Sequence, residues 1–317
     1  MTRLLALLSL PEKVRSQYHE GIKSRFPGIE INLVDHHSKV DPFIAEADVL
    51  LTFGPMMAEH VLEKARKLKW IQALGSGVDG ITDRPSLRRD VLVTNLHGIH
   101  GAPVSEAALA AMLSLARGLA RNLRNQLQRK WERFPASLLK GKTVVIYGVG
   151  SIAAELAPKC KAFGMRVLGI SSTTRTLPGF DCILPRSELV AAASEADYLV
   201  LLTPYSEATR GSVGGNVFAA MKPTAHFVNL ARGGVVDEEA LMAALTTRRI
   251  AGAALDVFSE EPLPESHPLW AMDNVLITPH QGGFYDEYVN EALPVIEHNL
   301  RKFLAGDTNG MINLVRR

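Results

Sequence analysis

Three ionisable side chains each follow an apolar, strand-like segment late in the sequence. Arg232 ends FVNLAR, Glu261 comes shortly after AGAALD and its terminal Asp256, and His280 ends VLITPH. An arginine binds a carboxylate through two parallel hydrogen bonds, and a histidine passes a proton to or from a hydroxyl. A neighbouring glutamate orients the imidazole and favours its protonated form. The three residues therefore predict an acid–base site for a substrate that carries a carboxylate.

A glycine-rich turn precedes these residues. VVIYGVGSIAAELA has Gly148 and Gly150 between an apolar strand and a helical segment, with Ala153 at the third position of a G-x-G-x-x-A pattern. In a dinucleotide-binding unit the first glycine allows the tight turn, the second lets a pyrophosphate approach, and the third, small residue packs the helix against the strand. The helix N-terminus adds free N–H groups and partial positive charge. The pattern predicts a dinucleotide cofactor.

The next strand favours NADP over NAD. An NAD-specific site needs an Asp or Glu about 20 residues after the glycines to bind the ribose hydroxyls. MRVLGI at 165–170 is followed instead by Ser171, Ser172 and then Arg175, and the first acidic residue is Asp181. Hydroxyls and an arginine can bind a 2′-phosphate, which a carboxylate would repel. The alternative is a polar turn that accepts both cofactors.

The elements that would position these residues alternate between strands and helices in two series. This α/β rhythm predicts parallel sheets. The predicted strands of the first series are LLALLSL, INLV, VLLTF, WIQAL and VLVTN, and those of the second are TVVIY, MRVLGI, YLVLLT, AHFVNL, AGAALDVF and NVLITPH. The predicted helices cover 12–26, 57–68, 104–131, 151–163, 237–248 and 286–305.

The helix predicted at 104–131 connects the two series, and the helix at 286–305 comes too late to belong to the second sheet. We therefore expect a discontinuous substrate-binding domain of residues 1–97 and 287–317, and a dinucleotide-binding domain of residues 98–286. The long connecting helix, rich in alanine, leucine and arginine, is expected to help form a two-fold dimer interface.

Composition excludes several classes of protein. Hydrophobic residues make up 47% and charged residues 21%, which argues against disorder. A net charge of +2 does not indicate a nucleic-acid or membrane partner, and two cysteines provide neither a disulfide framework nor a zinc site, so no metal is expected. The apolar start MTRLLALLSL lacks a cleavage site and is predicted as a strand. We expect a cytoplasmic protein.

Long segments around these residues resemble the D-isomer-specific 2-hydroxyacid dehydrogenases, in particular glyoxylate/hydroxypyruvate reductases. The similar segments are KLKWIQALGSGVDGI, VTNLHGIHGAPVSE, NLARGGVVDEEAL, AGAALDVFSEEPLPESHPLW and NVLITPHQGG, so the resemblance runs from about residue 49 to 300. It implies two Rossmann-like domains, an active site in the cleft between them, and a homodimer. It also implies hydride transfer between NAD(P)H and the carbonyl carbon of a small 2-keto acid.

The resemblance assigns roles to individual residues. It makes Arg232 the substrate-binding arginine, His280 the acid/base and Glu261 its partner, all three being catalytic. The amides of Gly75, Ser76 and Gly77 would hold the substrate carboxylate together with Arg232. Ser171, Ser172 and Arg175, taken from the end of the predicted strand at 165–170, complete the cofactor-binding set. The full set is Gly148, Gly150, Ser151, Ile152, Ser171, Ser172, Arg175, Thr203, Pro204, Leu230, Ala231, Arg232, Asp256, His280, Gly282 and Gly283.

Other functions remain open at this stage. Formate dehydrogenases share the fold but have a glutamine in that position, so Glu261 favours a proton-transferring 2-hydroxyacid enzyme instead. A 3-phosphoglycerate dehydrogenase without the added regulatory domain of the longer forms fits a chain ending at Arg317, and a non-catalytic NAD(H)-sensing corepressor has the same fold. Glyoxylate, hydroxypyruvate, pyruvate and phenylpyruvate all stay candidate substrates. Trp131 gates a partner's cleft or packs in a dimer core, and Phe284 and Tyr285 shape the substrate pocket or only pack.

Overall fold

A computed structural model describes residues Met1–Arg316 and divides the chain into two compact units. One unit consists of Met1–Ile99 together with Tyr285–Arg317, and the other of His100–Phe284. Each unit has its own parallel β-sheet covered by helices. The predicted fold class, two Rossmann-like α/β sheets, is confirmed.

The strands are β1 Arg3–Leu7, β2 Glu30–Val34, β3 Val49–Thr52, β4 Trp70–Ala73, β5 Leu92–Thr94, β6 Thr143–Tyr147, β7 Arg166–Ser171, β8 Cys182–Pro185, β9 Tyr198–Leu201, β10 His226–Asn229, β11 Gly252–Leu255 and β12 Val275–Ile277. The helices are α1 Glu12–Arg25, α2 Asp41–Ile44, α3 Glu59–Lys64, α4 Gly101–Arg117, α5 Leu119–Leu127, α6 Ser151–Ala162, α7 Leu189–Glu195, α8 Gly215–Ala220, α9 Glu238–Thr246 and α10 Tyr288–Leu304.

The sheet of the first unit has the order β2-β1-β3-β4-β5 and is parallel throughout. Successive side chains of a strand point to opposite faces, and here both faces are covered. Leu4 and Ala6 of β1 pack with Tyr18 of α1 on one side, whereas Leu5 and Leu7 pack into a second core on the other. This double burial explains why β1 is almost entirely apolar.

The sheet of the second unit has the order β12-β11-β10-β9-β6-β7-β8, again parallel. The chain starts at the centre with β6, adds β7 and β8 on one side, and then adds β9 to β12 on the other. The strand order therefore reverses between β6 and β9. Open α/β sheets bind ligands at such a reversal, beyond the carboxyl ends of the strands.

The structure corrects the prediction of one continuous helix over 104–131. α4 ends at Arg117, and Gly118 has φ +62° before α5 begins at Leu119. A Cβ at Gly118 would lie 2.7 Å from the ring of Phe134, so a larger residue at this bend would displace that ring. Residues 128–139 contain no helix. The predicted helix at 57–68 is also shorter, because α3 covers only Glu59–Lys64.

The sequence patterns miss several short elements. β8 lies at the edge of the second sheet, and only Ile183 of its four residues is buried, so it lacks the apolar run that marks the other strands. Helices α7 and α8 have seven and six residues, too few for a clear amphipathic period. None of the helices within Met1–Arg316 is long and apolar enough to cross a membrane.

His226, at the start of β10, is expected to make the stability of the second unit depend on pH. Its ring stacks on Tyr198 at 5.4 Å between centroids, and burial, with the nearby charge of Lys142, lowers the pKa of His226 from 6.5 to about 4. The unfolded chain therefore binds a proton more readily than the folded one between these two values. The contribution to stability is complete above about pH 6.5 and is lost as the pH falls towards 4.

We expect His226→Phe, which keeps an aromatic ring beside Tyr198, to reduce this dependence. Between pH 7 and pH 5 the free energy of unfolding should fall further in the wild-type protein than in the variant. The difference should be at most about 2 kcal/mol, which is what the shifted pKa of one histidine contributes through proton linkage. Urea unfolding of both proteins at the two pH values measures the difference. Identical losses in the two proteins would show that His226 does not titrate in this way.

Candidate nucleotide and acid–base site

The turn after β6 has the conformation that the glycine pattern requires. It packs against the chain that follows β9, at the place where the strand order reverses. Gly148 has φ +105°, and a Cβ there would lie 2.4 Å from the backbone nitrogen of Thr203, which follows β9. The Gly148 amide donates to the carbonyl of Ile170 at 2.9 Å. Only glycine combines this conformation with such a close backbone approach.

The rest of the pattern leaves the N-terminus of α6 accessible. Gly150 is exposed, and a Cβ there would meet no atom within 4 Å. No side chain caps the first turn of α6, while Ala153 is fully buried beneath it. Open space above Gly150 and an uncapped helix N-terminus form a cradle suited to a pyrophosphate. The residues present therefore fit a dinucleotide, which would lie over Gly150, Ser151 and Ile152.

At the end of β7, polar groups stand where an NAD-specific site would have an acid. Ser171 is nearly buried, and its Oγ accepts from the amide of Thr173 at 3.4 Å. The guanidinium of Arg175 donates to Thr173 Oγ1 at 3.0 Å and also to the carbonyl of Val149 in the glycine turn. Arg175 is thereby held beside the predicted cofactor site. Ser172 is exposed in the same turn.

Asp256 organises the turn that carries His280. Its carboxylate is only 4% exposed and accepts from Thr278 Oγ1, from the Gln281 amide at 3.0 Å and from the Gly282 amide at 2.9 Å. Its carbonyl accepts from the His280 amide at 2.8 Å. The role of Thr278 is not apparent from sequence patterns, because a threonine after a strand is commonplace.

His280 has φ +49°, in the left-handed region where histidine is uncommon. The Asp256 contacts support this strained backbone, which directs the imidazole towards Glu261. His280 Nδ1 and Glu261 Oε2 are 2.6 Å apart, and the other Glu261 oxygen accepts from the Phe258 amide at 2.9 Å. With Nδ1 engaged by the carboxylate, Nε2 is the ring nitrogen left to serve a substrate.

The charge on Glu261 is stabilised in the folded protein. Partial burial would raise the pKa of Glu261, but the hydrogen bonds from His280 and the Phe258 amide, with the charges of His280 and Arg232, outweigh it and lower that pKa below its ordinary value. The side chain keeps 24% exposure, so the effect is moderated by solvent. Glu261 is therefore ionised near neutral pH, as an orienting partner of a proton-carrying histidine must be.

Arg232 follows β10 and immediately precedes a short 3-10 helix, Gly233–Val235. Its Nη1 donates to the Ala231 carbonyl at 2.6 Å, and its own carbonyl accepts from Asn229 Nδ2 at 3.2 Å. A Cβ at Gly233 would lie 2.0 Å from the Phe258 carbonyl carbon, so the segments that carry Arg232 and Glu261 pack directly against each other. Arg232 also contributes to the charge stabilisation of Glu261. The predicted three residues thus meet in the second unit.

Other predicted cofactor residues lie near these two turns. A Cβ at Gly282 would lie 2.9 Å from Asp256 Oδ2 and 3.0 Å from Leu230, and one at Gly283 would lie 3.0 Å from the His100 ring. These glycines let the turn pack closely. Thr203 and Ala231 are buried, whereas Leu230 is half-buried and Pro204 exposed. Gly75, Ser76 and Gly77 follow β4 in the first unit and are half-buried.

Comparison with known proteins agrees with this geometry. Residues 109–282 match the family described as D-isomer specific 2-hydroxyacid dehydrogenase, NAD binding domain. A D-3-phosphoglycerate dehydrogenase from Methanocaldococcus jannaschii is 35% identical over 83% of this chain and 51% of its own length. A glyoxylate reductase from Korarchaeum cryptofilum is 33% identical over 83% of this chain and 80% of its own length.

A solved structure gives the same picture. The D-isomer specific 2-hydroxyacid dehydrogenase from Xanthobacter autotrophicus, crystallised with NADPH and MES, is 29% identical with a TM-score of 0.82, covering 99% of this chain and 98% of that one. The fold and the glycine turn place the chain in the class of dinucleotide-binding α/β proteins. The chain belongs to the D-isomer-specific 2-hydroxyacid dehydrogenase family. It spans about half the length of the phosphoglycerate dehydrogenases that it matches.

Proposed function

We propose that this protein reduces small 2-keto acids to 2-hydroxy acids with NAD(P)H. The observation that carries the proposal is the 2.6 Å contact between His280 and an ionised Glu261, held by the Asp256 turn in the same unit as the dinucleotide cradle. Family membership and the glyoxylate reductase relative support this substrate class. When bound, the nicotinamide supplies the hydride that adds to the carbonyl carbon.

The chain's own residues would perform the remaining steps. Arg232 binds the keto acid and stabilises the negative charge that develops on its carbonyl oxygen. Protonated His280 donates a proton from Nε2 to that oxygen, which completes the hydroxyl group. Glu261 keeps the imidazole oriented and stabilises its positive charge. The amides of Gly75, Ser76 and Gly77 hold the substrate carboxylate. The location of this site between two domains stays a prediction.

The test is a kinetic panel. Purified protein is mixed with NADPH or NADH and with glyoxylate, hydroxypyruvate, pyruvate, phenylpyruvate or 3-phosphohydroxypyruvate, and loss of nicotinamide absorbance is followed. We expect turnover with at least one unphosphorylated keto acid. Turnover with 3-phosphohydroxypyruvate alone would favour a phosphoglycerate dehydrogenase. Tight cofactor binding without any turnover would favour a sensing protein and contradict the proposal.

We also propose that the cofactor is preferentially NADP(H). Ser171, Ser172 and Arg175 supply hydrogen-bond donors and a positive charge at the end of β7, and Arg175 is held next to the glycine turn by its contact with Val149. The NADPH complex of the Xanthobacter relative supports the same choice. The cofactor-binding residues predicted from the sequence, from Gly148 to Gly283, are part of this proposal.

Arg175→Ala should separate the two cofactors. In the wild-type enzyme we expect kcat/KM for NADPH to exceed that for NADH. Loss of a charge-assisted contact to the 2′-phosphate should reduce the NADPH value about 10- to 100-fold and leave NADH almost unchanged. Arg248→Ala, which removes an exposed arginine paired with Asp273, is the matched control. Equal losses with both cofactors would exclude Arg175 as the phosphate ligand.

We further propose that the protein is a homodimer formed through the segment after α4. Leu119, Leu123, Leu127 and Trp131 recur at intervals of four and are 45%, 59%, 85% and 93% exposed in one chain. Three of them lie on one stripe of α5. An exposed apolar stripe of this kind marks a protein interface. A second copy of the chain is the partner that a two-fold family interface would provide, and Trp131 would be covered in it.

Light scattering at micromolar concentration should give twice the chain mass of 34.5 kDa. Replacing both Leu123 and Leu127 by glutamate places charges in the stripe and should produce monomers. Leu304→Glu, at an equally apolar exposed position at the end of α10, should leave the dimer intact. A wild-type monomer would contradict the proposed interface.

The remaining proposals concern the roles of the two units and the cellular location. We assign substrate binding to the unit Met1–Ile99 with Tyr285–Arg317 and cofactor binding to His100–Phe284. Cytoplasmic location is supported by two free cysteines, Cys160 in the core and Cys182 on the edge strand β8. Burial raises the pKa of Cys160 to about 12, so this thiol is unreactive.

A further inference from the structure

The loop proposed to hold the substrate carboxylate is fixed through its carbonyl groups. The loop begins at Leu74, whose amide donates to the Thr52 carbonyl at 2.8 Å. Within Met1–Arg316, the amides of Gly75, Ser76 and Gly77 donate to no protein acceptor. The three carbonyls that share peptide bonds with those amides are all hydrogen-bonded.

Each of the three carbonyls has a different donor. The Tyr288 hydroxyl donates to the Leu74 carbonyl. The Leu96 amide donates to the Gly75 carbonyl at 3.0 Å, and Asn95 Nδ2 donates to the Ser76 carbonyl at 2.8 Å. In a planar trans peptide the C=O and N–H bonds point in opposite directions. Each of the three N–H groups therefore points away from the donor that fixes the carbonyl of its own peptide.

The end of the chain holds Asn95 in place. The Asn95 amide donates to the Asn313 carbonyl at 3.2 Å, and Asn313 Nδ2 donates to the carbonyls of Asn95 and His97, at 3.2 and 2.9 Å. Asn95 Oδ1 accepts from the His97 amide at 3.1 Å, so the Asn95 carboxamide is oriented with its NH2 group towards Ser76. Asn313 has φ +56°, a conformation that asparagine tolerates well.

Tyr288 holds the other end of the loop from the first turn of α10. Its side chain is 3% exposed, in the same core as Tyr18, and its ring meets Tyr285 edge-on at 5.8 Å between centroids. Burial, with the neighbouring tyrosines, raises the pKa of Tyr288, so the hydroxyl remains a donor. Tyr285, one of the two bulky residues after His280, packs against this anchor.

We propose that Tyr288, Asn95 and Asn313 are positioning residues that preorganise the Gly75–Gly77 amides for the substrate carboxylate. The proposal rests on the proposed function, which assigns the carboxylate to this loop. It gives α10 and the segment around Asn313 a part in substrate affinity, although none of the three side chains is assigned a contact with substrate. Carboxylate binding is needed in both the ground state and the transition state, so weakening it should raise KM with little change in kcat.

The first test compares two hydroxyl deletions. Tyr288→Phe removes the donor to Leu74 and should raise KM for the best keto acid about three- to tenfold, the usual effect of one neutral hydrogen bond. The inhibition constant of oxalate, a dicarboxylate probe, should rise by the same factor, and Kd for NADPH should not change. Tyr18→Phe is the matched control, because its buried hydroxyl has no hydrogen-bond partner among residues 1–316.

Two asparagine variants test the other anchor. Asn95→Asp cannot donate to the Ser76 carbonyl and places a negative charge by the loop, so its KM should rise more than that of Tyr288→Phe. Asn313→Gly keeps the left-handed backbone accessible but removes the amide, and should raise KM by a smaller factor. Thermal unfolding of each variant checks that the fold is retained, and Tyr288→Phe remains informative if Asn95→Asp does not fold.

Hydrogen exchange separates this inference from the proposed function. The amides of Gly75, Ser76 and Gly77 should exchange faster in Tyr288→Phe and Asn95→Asp than in Tyr18→Phe, whether or not a substrate has been found. Faster exchange in a protein without reductase activity would overturn the proposed function alone. Unchanged KM, oxalate inhibition and exchange in an active enzyme would overturn the positioning role.

Discussion

Replacing His280 by alanine is expected to lower kcat for 2-keto acid reduction by about 10²- to 10⁴-fold, the usual contribution of a general acid. The variant cannot deliver a proton to the carbonyl oxygen, but it retains the Gly148 turn and the α6 N-terminus. Kd for NADPH, measured by fluorescence titration, should rise by less than about tenfold, since only one of the proposed cofactor contacts is lost and the pyrophosphate cradle is untouched. Stopped-flow and steady-state rates measure the loss.

The chain contains a second His–Glu pair that serves as the control. His267 Nε2 lies 3.2 Å from Glu238 Oε1, and its Nδ1 accepts from the Leu269 amide. His267→Ala should lower thermal stability and leave the turnover of the folded enzyme unchanged. Glu261→Gln, which keeps the shape of the partner but removes its charge, should give a loss smaller than that of His280→Ala. Near-normal turnover of His280→Ala would refute its role as the acid.

Apolar segments of the sequence predicted most of the strands in the two sheets, because parallel strands are buried on both faces. In β6, Val145 and Tyr147 face one core while Val144 and Ile146 face the other, so the sequence TVVIY is a continuous apolar run. Edge strand β8 lacks this double burial and was not predicted. The break at Gly118 could have been suspected, since an isolated glycine in a helical pattern is a C-cap signal.

The sequence predicted contacts between residues whose chemistry is visible in their type. The contact between His280 and Glu261 follows from an acid and a base placed after neighbouring strands. The Asp256 network was not predicted, because its donors Thr278, Gln281 and Gly282 bind through backbone or a common hydroxyl. The hydrogen bond from Tyr288 to Leu74 joins residues 214 positions apart, and no local pattern encodes it.

Gly148→Ala should lower the stability of the fold, whereas Gly150→Ala should lower the affinity for NADPH, although the two glycines are only two residues apart. An alanine Cβ at position 148 would lie 2.4 Å from the Thr203 nitrogen and 2.6 Å from the Leu202 carbonyl carbon, and φ is +105°. Backbone atoms of the turn or of the chain after β9 would have to move. We expect a loss of about 3 kcal/mol or more in unfolding free energy, measured by urea titration without cofactor.

At Gly150, φ is −113° and a Cβ would have no neighbour within 4 Å, so alanine should change stability by less than about 1 kcal/mol. The same methyl group would stand in the open space over the N-terminus of α6, where the proposed pyrophosphate lies. Kd for NADPH should therefore rise about 10-fold or more, because close backbone approach is what the second glycine provides. Unchanged NADPH affinity in a stable Gly150→Ala protein would move the diphosphate away from this turn. Loss of stability at position 150 equal to that at 148 would mean that both glycines serve the fold, and that neither is reserved for the cofactor.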